Sequence, residues 1–153
     1  MGRKFIENLK PFSERLMLLW IFAILILTFI PFFPESKTTL EFGKIEIRLD
    51  YIFHIIIYII GIFICFLWRA DSNFNIRLPV LFLIMFFFTL IATGQEFLQK
   101  IIPYRAFNIN DIVSNITGVF IGIPFSMLIF RQVRQRNKYN KQQAASQCPN
   151  NVD

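Results

Sequence analysis

Four long apolar runs dominate the chain: Leu16 to Phe33, Tyr51 to Trp68, Leu78 to Gly94 with a continuation to Leu98, and Ile112 to Phe130. A helix rises about 1.5 Å per residue, so roughly 20 apolar residues span the ~30 Å hydrocarbon core of a bilayer. Each run comes close to that length. The pattern predicts an all-α integral membrane protein of four transmembrane helices. Between the first two runs, Ile45, Ile47 and Leu49 alternate with Lys44, Glu46 and Arg48, the period of a half-buried strand, and Gly43 offers a turn back to Thr39–Phe42. A short β-hairpin in the first loop fits this pattern. An irregular loop is the competing reading, because an isolated hairpin is marginal. Helix ends carry local signals. Pro79 suits a first turn with Asn73 or Asn75 as cap, and Asn108, Asn110 and Asp111 offer caps before the fourth helix. Pro124 is expected to kink that helix.

Composition agrees with a lipid solvent: 55% of the 153 residues are apolar and twenty are phenylalanine. The chain divides into a basic N-terminal segment (1–15), a four-helix transmembrane domain (16–130) and a basic tail (131–153). The tail's Asn/Gln-rich end, from Gln142 on, has no periodicity and reads as disordered. The first run is too long for a signal-peptide core and ends without a small-residue cleavage pattern. Of the sixteen Lys and Arg, eleven lie in the N-terminal segment, the second loop and the tail, and five in the first and third loops. Positive residues are retained on the cytoplasmic side, so both termini are expected to be cytoplasmic and the first and third loops external. The net charge of +6 points to anionic lipid at the membrane surface instead of nucleic acid. Cys65 and Cys148 fall where no structural disulfide is expected.

Helical wheels place the polar residues on shared faces. In the second helix Asp50, His54, Tyr58, Gly61 and Cys65 lie within an arc of about 80 degrees. In the fourth, Asp111, Asn115, Gly118, Gly122 and Ser126 do the same, and Gly118 and Gly122 form a GxxxG pair suited to close helix packing. The third helix adds Thr89, Ala92, Thr93, Glu96 and Gln99. Asp50, His54, Glu96, Gln99, Arg105, Asp111 and Asn115 should then converge in the outer third of the bundle. Ionisable groups at that depth mark a functional site by default.

The residue types suggest a division of roles. Arg105 would pair with a phosphate. Glu96 and Asp111 would orient or deprotonate a substrate hydroxyl, with His54 as acid or base. Asp50, Tyr58, Gln99 and Asn115 would complete the substrate-binding surface. The competing structural reading has Arg105 neutralising Glu96 or Asp111 while the amides tie helices together, and Tyr58 as an ordinary buried ring. Asp50, His54, Glu96 and Asp111 are also conceivable metal ligands, but a lone histidine departs from usual zinc ligation, so neither metal nor other cofactor is called for. An enzyme, a stoichiometric binding or resistance module and a transporter all compete. The transporter ranks last, because the inner halves of the helices offer only Cys65, Ser126 and small residues.

Two blocks carry a family resemblance: Asp50-x3-His54-x3-Tyr58, and Glu96-x2-Gln99-x3-Pro103-x-Arg105-x-Phe107-x3-Asp111-x3-Asn115-x2-Gly118-x3-Gly122. Together they span Asp50 to Gly122, and by them the chain resembles the VanZ-like family of small bacterial membrane proteins. The family often has Lys after the first Asp, where this chain has Tyr51. The resemblance implies a cell-envelope role in the bacterial cytoplasmic membrane and an association with susceptibility to teicoplanin, a lipid-bearing glycopeptide antibiotic. It implies no established chemistry. The expected partner is a membrane lipid or lipid-linked cell-wall intermediate, met at the outer leaflet.

Overall fold

The computed structural model of the protein describes residues 2–29, 39–42, 45–69, 75–102 and 107–147. Helix α1 spans Gly2–Phe29, strands β1 (Thr39–Phe42) and β2 (Ile45–Arg48) come next, and then α2 (Leu49–Arg69), α3 (Leu78–Gln99) and α4 (Ile109–Gln147). All four helices are long and apolar enough to cross a membrane. At about 1.5 Å per residue, the 21 residues of α2 measure about 32 Å, close to the hydrocarbon thickness. The strands pair antiparallel with Leu40 opposite Ile47 and Glu41 opposite Glu46. The described part of the first loop is thus an antiparallel strand pair, as a hairpin requires, and its expected turn at Gly43 lies outside the described residues.

Two helices are longer than their apolar runs. α1 is already helical at Gly2, so the basic N-terminal segment is a helical extension, carried through Pro11. α4 continues past the apolar run to Gln147, and residues 142–147, read from the sequence as disordered, are helical. Lys, Gln and Ala are good helix formers, and helix already formed inside the membrane spares the residues beyond Phe130 the cost of nucleation. Residues 148–153, with Cys148, lie outside the described residues.

Caps differ in one case from expectation. The N-cap of α3 is Arg77, with no side-chain cap bond and Pro79 in the first turn. Asn75 instead accepts a hydrogen bond from Arg134 Nη1 of α4 at 3.3 Å, and Asn73 lies outside the described residues. The N-cap of α4 is Asn108, whose Oδ1 accepts from the Asn110 N–H at 3.1 Å.

α2 and α4 share the largest helix interface. It is close because of glycine. A Cβ at Gly118 would stand 2.6 Å from the Ile55 carbonyl oxygen, and one at Gly122 3.1 Å from the Ile59 Cα. α1 packs on the other side of α2, where the Trp20 indole covers Gly61 and donates from Nε1 to the Ile57 carbonyl at 2.9 Å. The Trp20 ring also meets Tyr58 edge-on at 5.8 Å and Phe88 of α3 at 5.1 Å, so one side chain ties three helices. Buried Ile62, Phe66, Ala92, Val119 and Phe130 fill the centre. Large exposed residues such as Phe22, Phe86, Leu90 and Phe120 ring the outside, where apolar exposure fits a lipid solvent.

Candidate functional site

α2 and α4 begin at the hairpin end of the bundle and α3 finishes there, so polar residues near those three termini meet. Glu96 lies one turn before the end of α3 and is completely buried, as is Asn115 one turn below Asp111 on α4. Gln99 is 2% exposed and Asp111 9%. His54 is half-buried on α2, one turn nearer the hairpin end than Tyr58. The structure brings Glu96, Gln99, Asp111 and Asn115 into the interior at this end.

Asn108 organises the cluster. Its backbone N–H donates to Glu96 Oε1 at 2.8 Å, its side-chain Nδ2 donates to Asp111 Oδ1 at 2.9 Å, and its Oδ1 caps the helix. One asparagine thereby holds a carboxylate from α3 against a carboxylate from α4. Asp111 in the first helical turn also gains from the partial positive charge of the α4 N-terminus. Sequence reading gives Asn108 as a helix cap and misses its contact with Glu96, because nothing in spacing reports which backbone N–H a distant carboxylate will reach.

Several polar atoms here are buried without a hydrogen-bond partner among the described residues: Gln99 Nε2 and both amide atoms of Asn115. Such atoms are costly in a low-dielectric interior, of the order of 1–3 kcal/mol each. Natural structures keep few of them, and each calls for an explanation such as a bound group.

Two substrate-binding candidates are engaged elsewhere. Tyr58 is fully buried, and its hydroxyl donates to Gln95 Oε1 at 2.8 Å. It is therefore a link between α2 and α3, and Gln95 is a buried polar residue that the polar stripe of α3 leaves out. Asp50 is held by Arg48, whose Nε donates to Oδ1 at 3.2 Å and whose Nη2 meets Oδ2, while Oδ1 also accepts the Tyr51 N–H at 3.0 Å. Arg48, missing from the sequence-derived site, also stacks over the Tyr51 ring at 5.0 Å. Partial burial works to lower the Arg48 pKa, but the Asp50 carboxylate outweighs it, with further help from Tyr51 and Asp111, so the pKa is raised. Tyr51 in turn accepts from Asn110 Nδ2 at 3.3 Å. The hairpin, α2 and α4 are thus joined by polar contacts at the mouth of the cluster.

Arg105 and Pro103 lie outside the described residues. Phe107, just before α4, packs against Phe97 of α3 with ring centroids 5.6 Å apart. Thr93 is occupied within its own helix, donating to the Thr89 carbonyl at 2.8 Å. Gly118 and Gly122 lie against α2, and Ser126, with its Oγ buried and without a partner among the described residues, continues their face. Cys65 is a buried free thiol. Among the described residues no group of three His, Cys, Asp or Glu side chains is disposed to hold a metal ion.

The chemical content of this end is two carboxylates fixed by one asparagine, an imidazole on the neighbouring helix, two amides with unused hydrogen-bonding capacity and an arginine–aspartate pair at the rim. No family model matches the chain, and neither a curated protein nor a solved structure does.

Proposed function

We propose that the chain is a multi-pass protein of the bacterial cytoplasmic membrane whose hairpin-end cluster binds or modifies an anionic lipid-linked envelope component in the outer leaflet. The observation that carries this reading is the unused hydrogen-bonding capacity of Asn115 and Gln99, buried beside Glu96 and Asp111. A ligand offering hydroxyl and phosphate groups would satisfy those amides. Arg105 is the proposed phosphate partner, in the bidentate geometry that suits guanidinium. Glu96 and Asp111 are the groups proposed to orient or deprotonate a hydroxyl, with His54 as the proton carrier. Gln99 and Asn115 remain in the proposed binding surface, while Asp50 acts through its pairing with Arg48. The uneven distribution of Lys and Arg supports the hairpin end facing outward. The VanZ-like resemblance supports a cell-envelope setting and makes teicoplanin susceptibility a phenotype worth measuring.

A second reading is favoured by the Asn108 contacts: the cluster holds α3 to α4 and binds nothing. Native mass spectrometry of the gently solubilised full chain separates the two. The wild type should carry a phospholipid or polyprenyl-phosphate species that Arg105→Ala and Asn115→Ala lose while remaining folded. Retention of the same species by both variants, or none in any sample, would favour the structural reading. Turnover of a bound species, abolished by Glu96→Gln or Asp111→Asn, would make the protein an enzyme. Topology is tested separately with reporter fusions after Glu41 and after Lys141, which should report opposite sides of the membrane.

A further inference from the structure

At the end of the bundle opposite the hairpin, a cavity of about 370 Å³ opens between α2, the start of α3 and the middle of α4. Its volume falls in the range of about 300–1,000 Å³ usual for small-molecule sites. Phe66, Leu81, Met127 and Leu128 give it an apolar wall, and Arg131 and Arg134 line it as well. Among the described residues, no acidic side chain does. Arg131 stands 22 residues beyond Ile109, about 33 Å along the helix, which sets the two arginines where hydrocarbon gives way to headgroups. Arg134 is steadied there by the Asn75 side chain.

An apolar wall running into two guanidinium groups at the headgroup level matches one kind of occupant: an amphiphile with an anionic head and an acyl tail. We infer that this cavity is a binding site for an anionic phospholipid of the leaflet on the C-terminal side of α4. Its phosphate sits against Arg131 and Arg134, and part of one acyl chain lies on Leu81, Met127 and Leu128. Guanidinium pairs with phosphate by charge-assisted hydrogen bonds, and basic pockets between membrane helices hold anionic headgroups by this chemistry. The site is separate from the hairpin-end cluster and independent of its proposed role.

The test is a lipid titration of the delipidated full-length protein in detergent, read by native mass spectrometry. Dioleoylphosphatidylglycerol is compared with dioleoylphosphatidylcholine, which has the same tails and no net charge. The wild type should bind one phosphatidylglycerol in clear preference to phosphatidylcholine. Replacing both Arg131→Gln and Arg134→Gln should reduce that preference by about thirtyfold, roughly fivefold for each arginine. Arg136→Gln with Lys141→Gln removes the same charge from residues that do not line the cavity, and should leave the preference intact. Leu81→Trp fills the cavity without touching its charge; it should displace the lipid, and it keeps the test decisive should the double arginine variant not fold. Equal binding of the two lipids by the wild type overturns the inference. So does an equal loss in the Arg136/Lys141 control, or undiminished binding in Leu81→Trp.

Discussion

Replacing Gly118 with alanine probes the contact that sets the spacing of α2 and α4. The added methyl would lie 2.6 Å from the Ile55 carbonyl oxygen, 2.9 Å from Tyr58 Cβ and 3.1 Å from Ile55 Cα. Ordinary contact begins near 3.4 Å, so the worst approach is short by about 0.8 Å. Two of the three opposing atoms are backbone, which cannot rotate aside, and α4 must move away from α2. Overpacking of this kind costs about 1–3 kcal/mol. Alanine also gains on glycine in intrinsic helix propensity, by up to about 1 kcal/mol. That gain would mask part of the effect, and Gly94→Ala measures it separately, because nothing lies within 4 Å of a Cβ there. Unfolding by SDS titration in mild detergent, followed by tryptophan fluorescence, should find Gly118→Ala less stable than Gly94→Ala by about 1–3 kcal/mol. If the two variants agree within about 0.5 kcal/mol, the close approach of α2 and α4 at Gly118 is wrong.

Three further outcomes are expected. Gly61→Ala would put a methyl 2.3 Å from the Trp20 ring; it should destabilise the wild type by about 1–3 kcal/mol and much less in a Trp20→Leu background, and strict additivity in that double-mutant cycle would count against the contact. Asn108→Ala removes the α4 cap and the bond to Asp111 but leaves the backbone N–H on Glu96, and should cost about 1–2 kcal/mol in the same titration; an effect under about 0.3 kcal/mol would contradict the bridging role. Arg48→Gln should cost at most about 1 kcal/mol, because the arginine side chain is 43% exposed. With its pKa raised in the folded state, Arg48 contributes fully below the ordinary arginine value and loses its contribution only as pH rises through the higher folded value, so the Arg48→Gln deficit should not shrink between pH 7 and pH 10.

The membrane-spanning core was legible because a lipid-facing helix must be apolar over a fixed length, a constraint visible in any window of residues. The hairpin was only half legible: the alternation from Lys44 to Leu49 admits a strand, but an isolated hairpin is marginal and an irregular loop fitted the sequence equally well. The helical ends at Gly2 and Gln147 were not legible, since they lie beyond the apolar runs and carry no hydrophobic period. At the site, wheel geometry brought Glu96, Gln99, Asp111 and Asn115 together, and all four are buried at the hairpin end. It missed Gln95, one residue from Glu96, which bonds Tyr58 across 37 positions of sequence. It also missed Arg48, because a side chain at the end of a strand reaches the next helix only once the chain direction there is known. Trp20 read as one more apolar residue, and only the glycine facing it reveals that its ring has a dedicated seat.

Pro124 lies between the two polar regions of α4, with Asp111 and Asn115 on one side and Arg131 and Arg134 on the other. Having no N–H, it leaves the carbonyl of Phe120 without its usual partner four residues on. The helix nonetheless runs unbroken from Ile109 to Gln147, so the missing hydrogen bond is a local defect between two polar regions that one rod still joins.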